Sequence, residues 1–203
     1  MAWVLKNADI IAALPVLADY YEKADGGSTT TLTCKRLTSL DDKELIGATI
    51  GFINGDNAGT DAVITSYSSS STATLGFATL SNAVDSSTGF GIVLIDYQTY
   101  IDRAYDIIKN EMRNRGLDID LFLTTAQVKE LHLTKTLELI CMAKRQDADS
   151  DDIYHESYLV FKENYESELT TIKADYDTDE GGTIDESEEK QSNQVVLMKW
   201  LVC

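Results

Sequence analysis

Cysteine is scarce in this chain of 203 residues. Cys34, Cys141 and Cys203 lie far apart. An odd, scattered set argues against a disulfide framework and against a zinc site. Cys141 falls in a helical apolar pattern and reads as a small core residue. Histidine is scarcer, with only His132 and His155. Neither stands at metal-ligand spacing from cysteine or carboxylate, and both read as ordinary surface or boundary residues. Basic residues are few: 17 Lys and Arg face 34 Asp and Glu, for a net charge of −17 and a pI near 4.3. Nonspecific grip on nucleic acid rests on bases neutralising phosphates, so it is not expected. No apolar run approaches the roughly 18 residues of a membrane span. The N-terminal MAWVLKNADIIAALP has one base and an apolar run broken by Asp9, which fits a secretion signal poorly.

Catalytic signatures are missing too. The chain has no G-x-S-x-G, no P-loop and no G-x-G-x-x-G. Its many carboxylates lie outside the apolar runs that would raise their pKa values. An enzyme is therefore not expected.

What is present is a hydrophobic fraction of 43%, enough for a core in one domain, or in one domain with an insertion. Two patterns alternate along the chain. Ile10, Ile11, Leu14, Leu17, Ala18 and Tyr21 recur at helical spacing behind Asn7 or Asp9 as caps. Pro15, the single proline, breaks this helix or opens a second short one. From Ser28 to about Asp96 helical periodicity vanishes. TTTLTCKRL, ATIGFI, DAVITSY, TATLGFA and FGIVLI read as five strands, with turns at Asn54-Gly55, Asn57-Ala58-Gly59 and the serines Ser68 to Ser71.

Helical spacing then resumes. Tyr100, Ile101, Ala104, Ile107, Ile108 and Met112 share a face that ends at Gly116. Thr124 and Gln127 are spaced as a capping box for a helix to about Arg145, with Val128, Leu131, Leu137, Ile140 and Cys141 inward. Behind Asp151 or Asp152, a third stripe runs through Tyr154, Tyr158, Phe161, Tyr165, Leu169 and Ile172. The expected fold class is α+β, a small helical bundle with an inserted all-β module, either a small sheet or a barrel. Its parts are an N-terminal helical segment (1–27), the β module (28–96), a helical core (97–174), an acidic loop (175–190) and an apolar tail (191–203).

The acidic loop carries the most specific pattern. Asp177 to Glu188 spells a twelve-residue calcium loop with one departure, Gly181 where a third acid belongs. Calcium takes six to eight oxygens, and alternate residues of a tight loop point theirs inward. Asp177, Asp179, Thr183 through its carbonyl, Asp185 and Glu188 form the candidate metal site, with Gly182 at the sharp turn. The loss of one acid predicts weak Ca²⁺ binding. The surrounding region is strongly acidic: Asp147 to Lys190 holds 16 acids and 3 bases.

The order of these features resembles tailed-bacteriophage structural proteins. GATIGFINGDNAG (Gly47 to Gly59), AVITSY, TATLGFATLSNAV and GFGIVL resemble a β module that recurs in phage particles. A Tyr-led, isoleucine-faced helix ends at Asn114-Arg115-Gly116-Leu117-Asp118. A second helix follows, then a Tyr-rich third helix that runs into an acidic D-x-D-x-x-G stretch. That order is similar to head–tail connector (adaptor) proteins of the neck. The resemblance implies a non-enzymatic ring, a dodecamer of this chain below the portal protein. It would meet the tail or the next connector on its other side. DNA would pass through without specific binding, and the protein would reside in the virion neck after synthesis in the host cytoplasm. No membrane role is implied. The tail after Lys190 has no counterpart. Competing expectations are a calcium-dependent, adhesin-like binding module and a small enzyme that uses the acidic cluster.

Overall fold

The computed structural model describes residues 4–117, 119, 125–145 and 152–171. The chain divides into two compact units, Lys6–Thr99 and a second that joins the N-terminal Met1–Leu5 to the helices from Tyr100 onward. The fold is α+β with a strand module.

The first unit is built around antiparallel strands. Helix α1 (Asn7–Ala13) is followed by a 3₁₀ turn (Pro15–Leu17) with Pro15 in its first position, where the missing N–H is harmless. Strands β1 (Tyr20–Lys23), β2 (Gly26–Gly27) and β3 (Thr31–Cys34) come next. A short helix α2 (Asp42–Leu45) leads into β4 (Thr49–Phe52), β5 (Thr60–Ser68), β6 (Ala73–Phe77) and β7 (Gly89–Val93). The five expected strands are all present, and the serine run joins β5 to β6 as a hairpin tip.

Two strands fall where helix was expected. Tyr21 does not continue an N-terminal helical stripe: Tyr20–Lys23 pairs antiparallel with β7, Tyr21 opposite Gly91. Pro15 ends the helix, and the ladder partner that captures the next residues lies some seventy positions away, beyond any local pattern. The compact unit accordingly begins at Lys6, not Ser28.

The strand order is β1-β7-β4-β5-β6-β3-β2. Its two ends are one stretch of chain, because β2 follows β1 after two residues. The Ala24 N–H reaches the Thr88 carbonyl, and the Asp25 N–H reaches the Thr33 carbonyl. Residues 20–27 thus pair with β7 through their first half and with β3 through their second, and the sheet curls back on itself. Curling removes most of the exposed edge that an open sheet would present. One extra residue, Thr65, forms a bulge against β6, so Ile64 and Tyr67 both turn inward despite their odd spacing.

The core gathers Leu32, Ile50, Phe52, Ile64, Leu75, Phe90 and Ile92, each almost fully buried. Phe52 and Phe77 meet edge to face, with centroids 5.6 Å apart. On the other side of the sheet, Gly51 pairs with Gly91 and makes a flat floor for α1. A Cβ at Gly51 would lie 2.8 Å from the Ala8 Cα, and one at Gly91 would lie 2.7 Å from Ile11 Cγ2. The glycines inside ATIGFI and FGIVLI therefore admit a helix at backbone contact.

The second unit contains α3 (Gln98–Asn114, entering from the first unit), α4 (Thr125–Lys144) and α5 (Ile153–Thr171). Ile101, Ala104, Ile108 and Met112 line the buried face of α3, as their spacing predicts. Helix α4 buries Val128, Leu131, Leu137, Ile140 and Cys141. Burial pushes the Cys141 thiol up to about 11, which suits a packing residue rather than a nucleophile. Tyr165 and Leu169 of α5 complete the cluster. The expected Thr124 cap, Ile172, the acidic loop and the tail lie outside the described residues.

Candidate functional site

The five sequence-predicted calcium ligands, Asp177, Asp179, Thr183, Asp185 and Glu188, lie outside the described residues. Among the described residues no group of three or more His, Cys, Asp or Glu gathers as a metal site, and no helix is long and apolar enough to cross a membrane. What the structure does describe is the helical joint at the end of α5, the helix that leads toward that loop.

The joint begins with the Arg115-Gly116 dipeptide. Gly116 takes φ of +77°, and the Leu117 N–H returns to the Met112 carbonyl, closing α3 as a left-handed glycine cap does. The turn sends the Arg115 guanidinium to the carbonyl of Leu169 in the last turn of α5. Such carbonyls have no partner within the helix, and a cation there complements the helix dipole. Arg115 thus closes α5 from another helix.

Tyr165 ties the same helices one turn earlier. Its hydroxyl donates to Glu111 Oε2 at 2.9 Å, and the Lys135 ammonium sits 4.3 Å above its ring. Lys135 also pairs with Glu138 at 2.8 Å, and both are largely buried. Burial, reinforced by Glu111, drives the Tyr165 phenol far above its ordinary range, so it stays a hydrogen-bond donor. The pattern repeats along α4 and α5. Arg145 lies 4.6 Å from the Tyr158 ring centroid and Lys144 lies 5.8 Å from that of Tyr154. Lys135 near the middle of α4 meets Tyr165 late in α5, while Lys144 at the end of α4 and Arg145 just past it meet Tyr154 and Tyr158 nearer the start of α5. The two helices therefore run antiparallel with cation–π contacts along their seam. Each such contact contributes on the order of 0.5–2 kcal/mol, depending on burial.

His132 differs from its expected surface position. It is 4% exposed, and its Nε2 lies 2.8 Å from the Ile101 carbonyl of α3. The Tyr105 ring stands beside it at 5.8 Å. Burial holds the imidazole below its usual range, although the Ile101 carbonyl and Asp102 favour the proton. The residue faces the joint because it directly follows Leu131 on the inward side, and a polar residue there needs an internal partner.

In the first unit, Asn7 is a second node. Its backbone N–H and side-chain amide both donate to Asp61 Oδ2, and the Ala8 N–H donates to Asp61 Oδ1 at 2.8 Å. A β5 carboxylate thereby caps α1 from outside. Desolvation raises the pKa of Asp61 while these donors oppose the rise. A cleft of about 510 Å³ opens where residues 20–27 bend, lined by Glu22, Asp25, Cys34, Lys35 and Arg36 among others. Arg36 and Glu22 face each other across it at 3.4 Å.

Arg115 and Gly116 stand out in the sequence as a motif, but their task does not. Neither Asn7 as a node nor Lys135, Lys144 and Arg145 as tyrosine partners was expected from the sequence. The available signal was the row Tyr154, Tyr158 and Tyr165 at helical spacing. No family model matches the chain, and neither a curated protein nor a solved structure is significantly similar to it.

Proposed function

We propose that the chain is a structural component of a tailed-phage particle, a head–tail connector of the neck that assembles as a ring, a dodecamer, through which DNA passes. The order of motifs carries this reading: a β module, a Tyr-led helix closed by Arg115-Gly116, a second helix and a Tyr-rich third helix ahead of an acidic loop. The joint gives the Arg-Gly motif a physical task, holding the end of α5 that leads into that loop. Helix α5 also leaves Ile153, Leu159 and Val160 more than half exposed. Apolar groups left to solvent within one chain suit helices packed side by side between copies. A ring forms when one such contact repeats by a rotation that closes. An acidic wall would repel the DNA backbone and let it slide.

Native mass measurement with images of negatively stained particles tests the reading. Closed rings support it. A monomer at every salt concentration, with no place in a virion, overturns it.

A further inference from the structure

Asparagine deamidates when the backbone nitrogen of the next residue attacks its side-chain amide, and a glycine there hinders the attack least because it lacks a Cβ. This chain has one Asn-Gly step, Asn54-Gly55, in the loop that joins β4 to β5. Three other asparagines precede a small residue, at Asn7-Ala8, Asn57-Ala58 and Asn82-Ala83. In each of those the fold ties down the amide nitrogen, the group that would have to leave. Asn7 Nδ2 donates to Asp61 and Asp96, Asn57 Nδ2 to the Asn82 carbonyl, and Asn82 Nδ2 to the Asp56 carbonyl.

Asn54 is held by its other end. The Gly89 N–H donates to Asn54 Oδ1, and among the described residues nothing hydrogen-bonds to its Nδ2. The amide lies flat on the bare Cα of Gly89: a Cβ there would come within 3.1 Å of Nδ2 and 3.3 Å of Cγ. The preceding residue, Thr88, abuts the attacking partner. A Cβ at Gly55 would lie 3.2 Å from Thr88 Oγ1, and Thr88 is 2% exposed with its hydroxyl on Asp85. Asn54 and Gly55 are themselves exposed, so water reaches them. The Thr88-Gly89 dipeptide thus clamps the Asn54-Gly55 dipeptide.

We propose that Asn54-Gly55 is a self-modification site that the fold activates, an inference independent of the ring reading. The Gly55 nitrogen bonds to Asn54 Cγ as the Cγ–Nδ2 bond breaks. The Gly55 proton passes by way of water to the departing nitrogen, which leaves as ammonia. A second water then opens the five-membered imide. Opening at Cγ leaves aspartate, and opening at the Asn54 main-chain carbonyl carbon leaves isoaspartate. Negative charge builds on Oδ1 during the attack, and the Gly89 N–H already points at that oxygen. Ring closure also loses less conformational freedom where both partners are held beforehand. Either product adds a negative charge next to Asp56, and isoaspartate puts an extra methylene into the main chain of the β4–β5 loop.

The test incubates the full chain in mildly alkaline buffer, folded and separately unfolded in guanidinium chloride. Peptide mass mapping follows each asparagine, and isoaspartate is measured in the peptide that holds residue 54. The expected result is conversion of Asn54 at least about tenfold faster in the folded chain than in the unfolded one. It should yield both aspartate and isoaspartate and should outpace Asn7, Asn57 and Asn82. Gly89→Ala places a methyl against the amide and should bring the folded rate down to the unfolded one, with circular dichroism confirming the fold. A wild-type folded rate equal to or below the unfolded rate overturns the inference. So does aspartate as the sole product, since direct hydrolysis by water gives that, and so does a folded Gly89→Ala chain that converts at the wild-type rate. If Gly89→Ala does not fold, the two wild-type rates and the product ratio decide alone.

Discussion

The side-chain amide of Asn7 lies 3.0 Å from Asp96 Oδ1, across eighty-nine positions of sequence. The same Asp96 oxygen accepts the Gln98 N–H and so caps α3. Asn7 Oδ1 meanwhile accepts the Tyr97 N–H. One buried amide therefore joins the start of α1, a β5 carboxylate and the end of the strand unit. Replacing Asn7 by Ala strands several of these groups. A buried polar group left without its partner costs about 1–3 kcal/mol. The urea midpoint of the Lys6–Thr99 unit should fall by the equivalent of at least about 2 kcal/mol, with its m-value unchanged.

That unit should fold alone. It has its own core, and its strand order closes through residues 20–27. A fragment of residues 6–99 should show a β-type circular dichroism spectrum and one cooperative melt. A fragment that starts at Ser28 lacks α1 and β1 and should not. Equal behaviour of the two would contradict the boundary at Lys6.

Gly51 and Gly91 should tolerate alanine poorly, because the added methyl meets α1. Overpacking of this kind costs about 1–3 kcal/mol. Gly59 has φ of +75° but open space around it, so alanine there should cost only the backbone strain, about 1 kcal/mol. Thermal melts of the three variants compare the effects directly.

His132 predicts a pH dependence of the helical unit. Burial depresses its pKa, so in mildly acid solution the unfolded chain binds a proton that the folded unit refuses. Stability from this residue is present above the usual histidine range near 6.5 and is lost as pH falls through it. The Tm should drop between about pH 7.5 and 5.5. His132→Gln keeps a donor for the Ile101 carbonyl and should shrink that drop, while the carboxylate contributions shared by both proteins remain. An unchanged drop would remove His132 as its source.

Much of the fold is legible in local pattern. The five central strands, the hairpin tip at Ser68–Ser71 and the buried faces of α3 and α4 follow from period and turn chemistry. What is not legible depends on partners distant in sequence. Tyr20–Lys23 becomes a strand because β7 offers a ladder, and no neighbour in sequence announces that. Gly51 and Gly91 look like weak points in strands until α1 is set over them. His132 reads as a surface residue because its acceptor, the Ile101 carbonyl, belongs to another helix. The candidate metal residues rest on a sequence pattern alone, with their ligands outside the described residues.

For that loop the expected outcome is weak Ca²⁺ binding, with Kd of roughly 10⁻⁴–10⁻³ M. Gly181→Asp should tighten it by restoring the missing acid, and Glu188→Ala should abolish it by removing two oxygens. Calorimetric titration distinguishes the three. No heat and no shift in Tm at millimolar Ca²⁺ for any of them would reduce the loop to an acidic turn.

The central claim is the assembled ring, and native mass spectrometry of the purified full chain tests it most directly. With a protomer of 22.4 kDa, the account predicts a closed species near 270 kDa, roughly twelve copies. A single species at 22.4 kDa across protein and salt concentrations would contradict it.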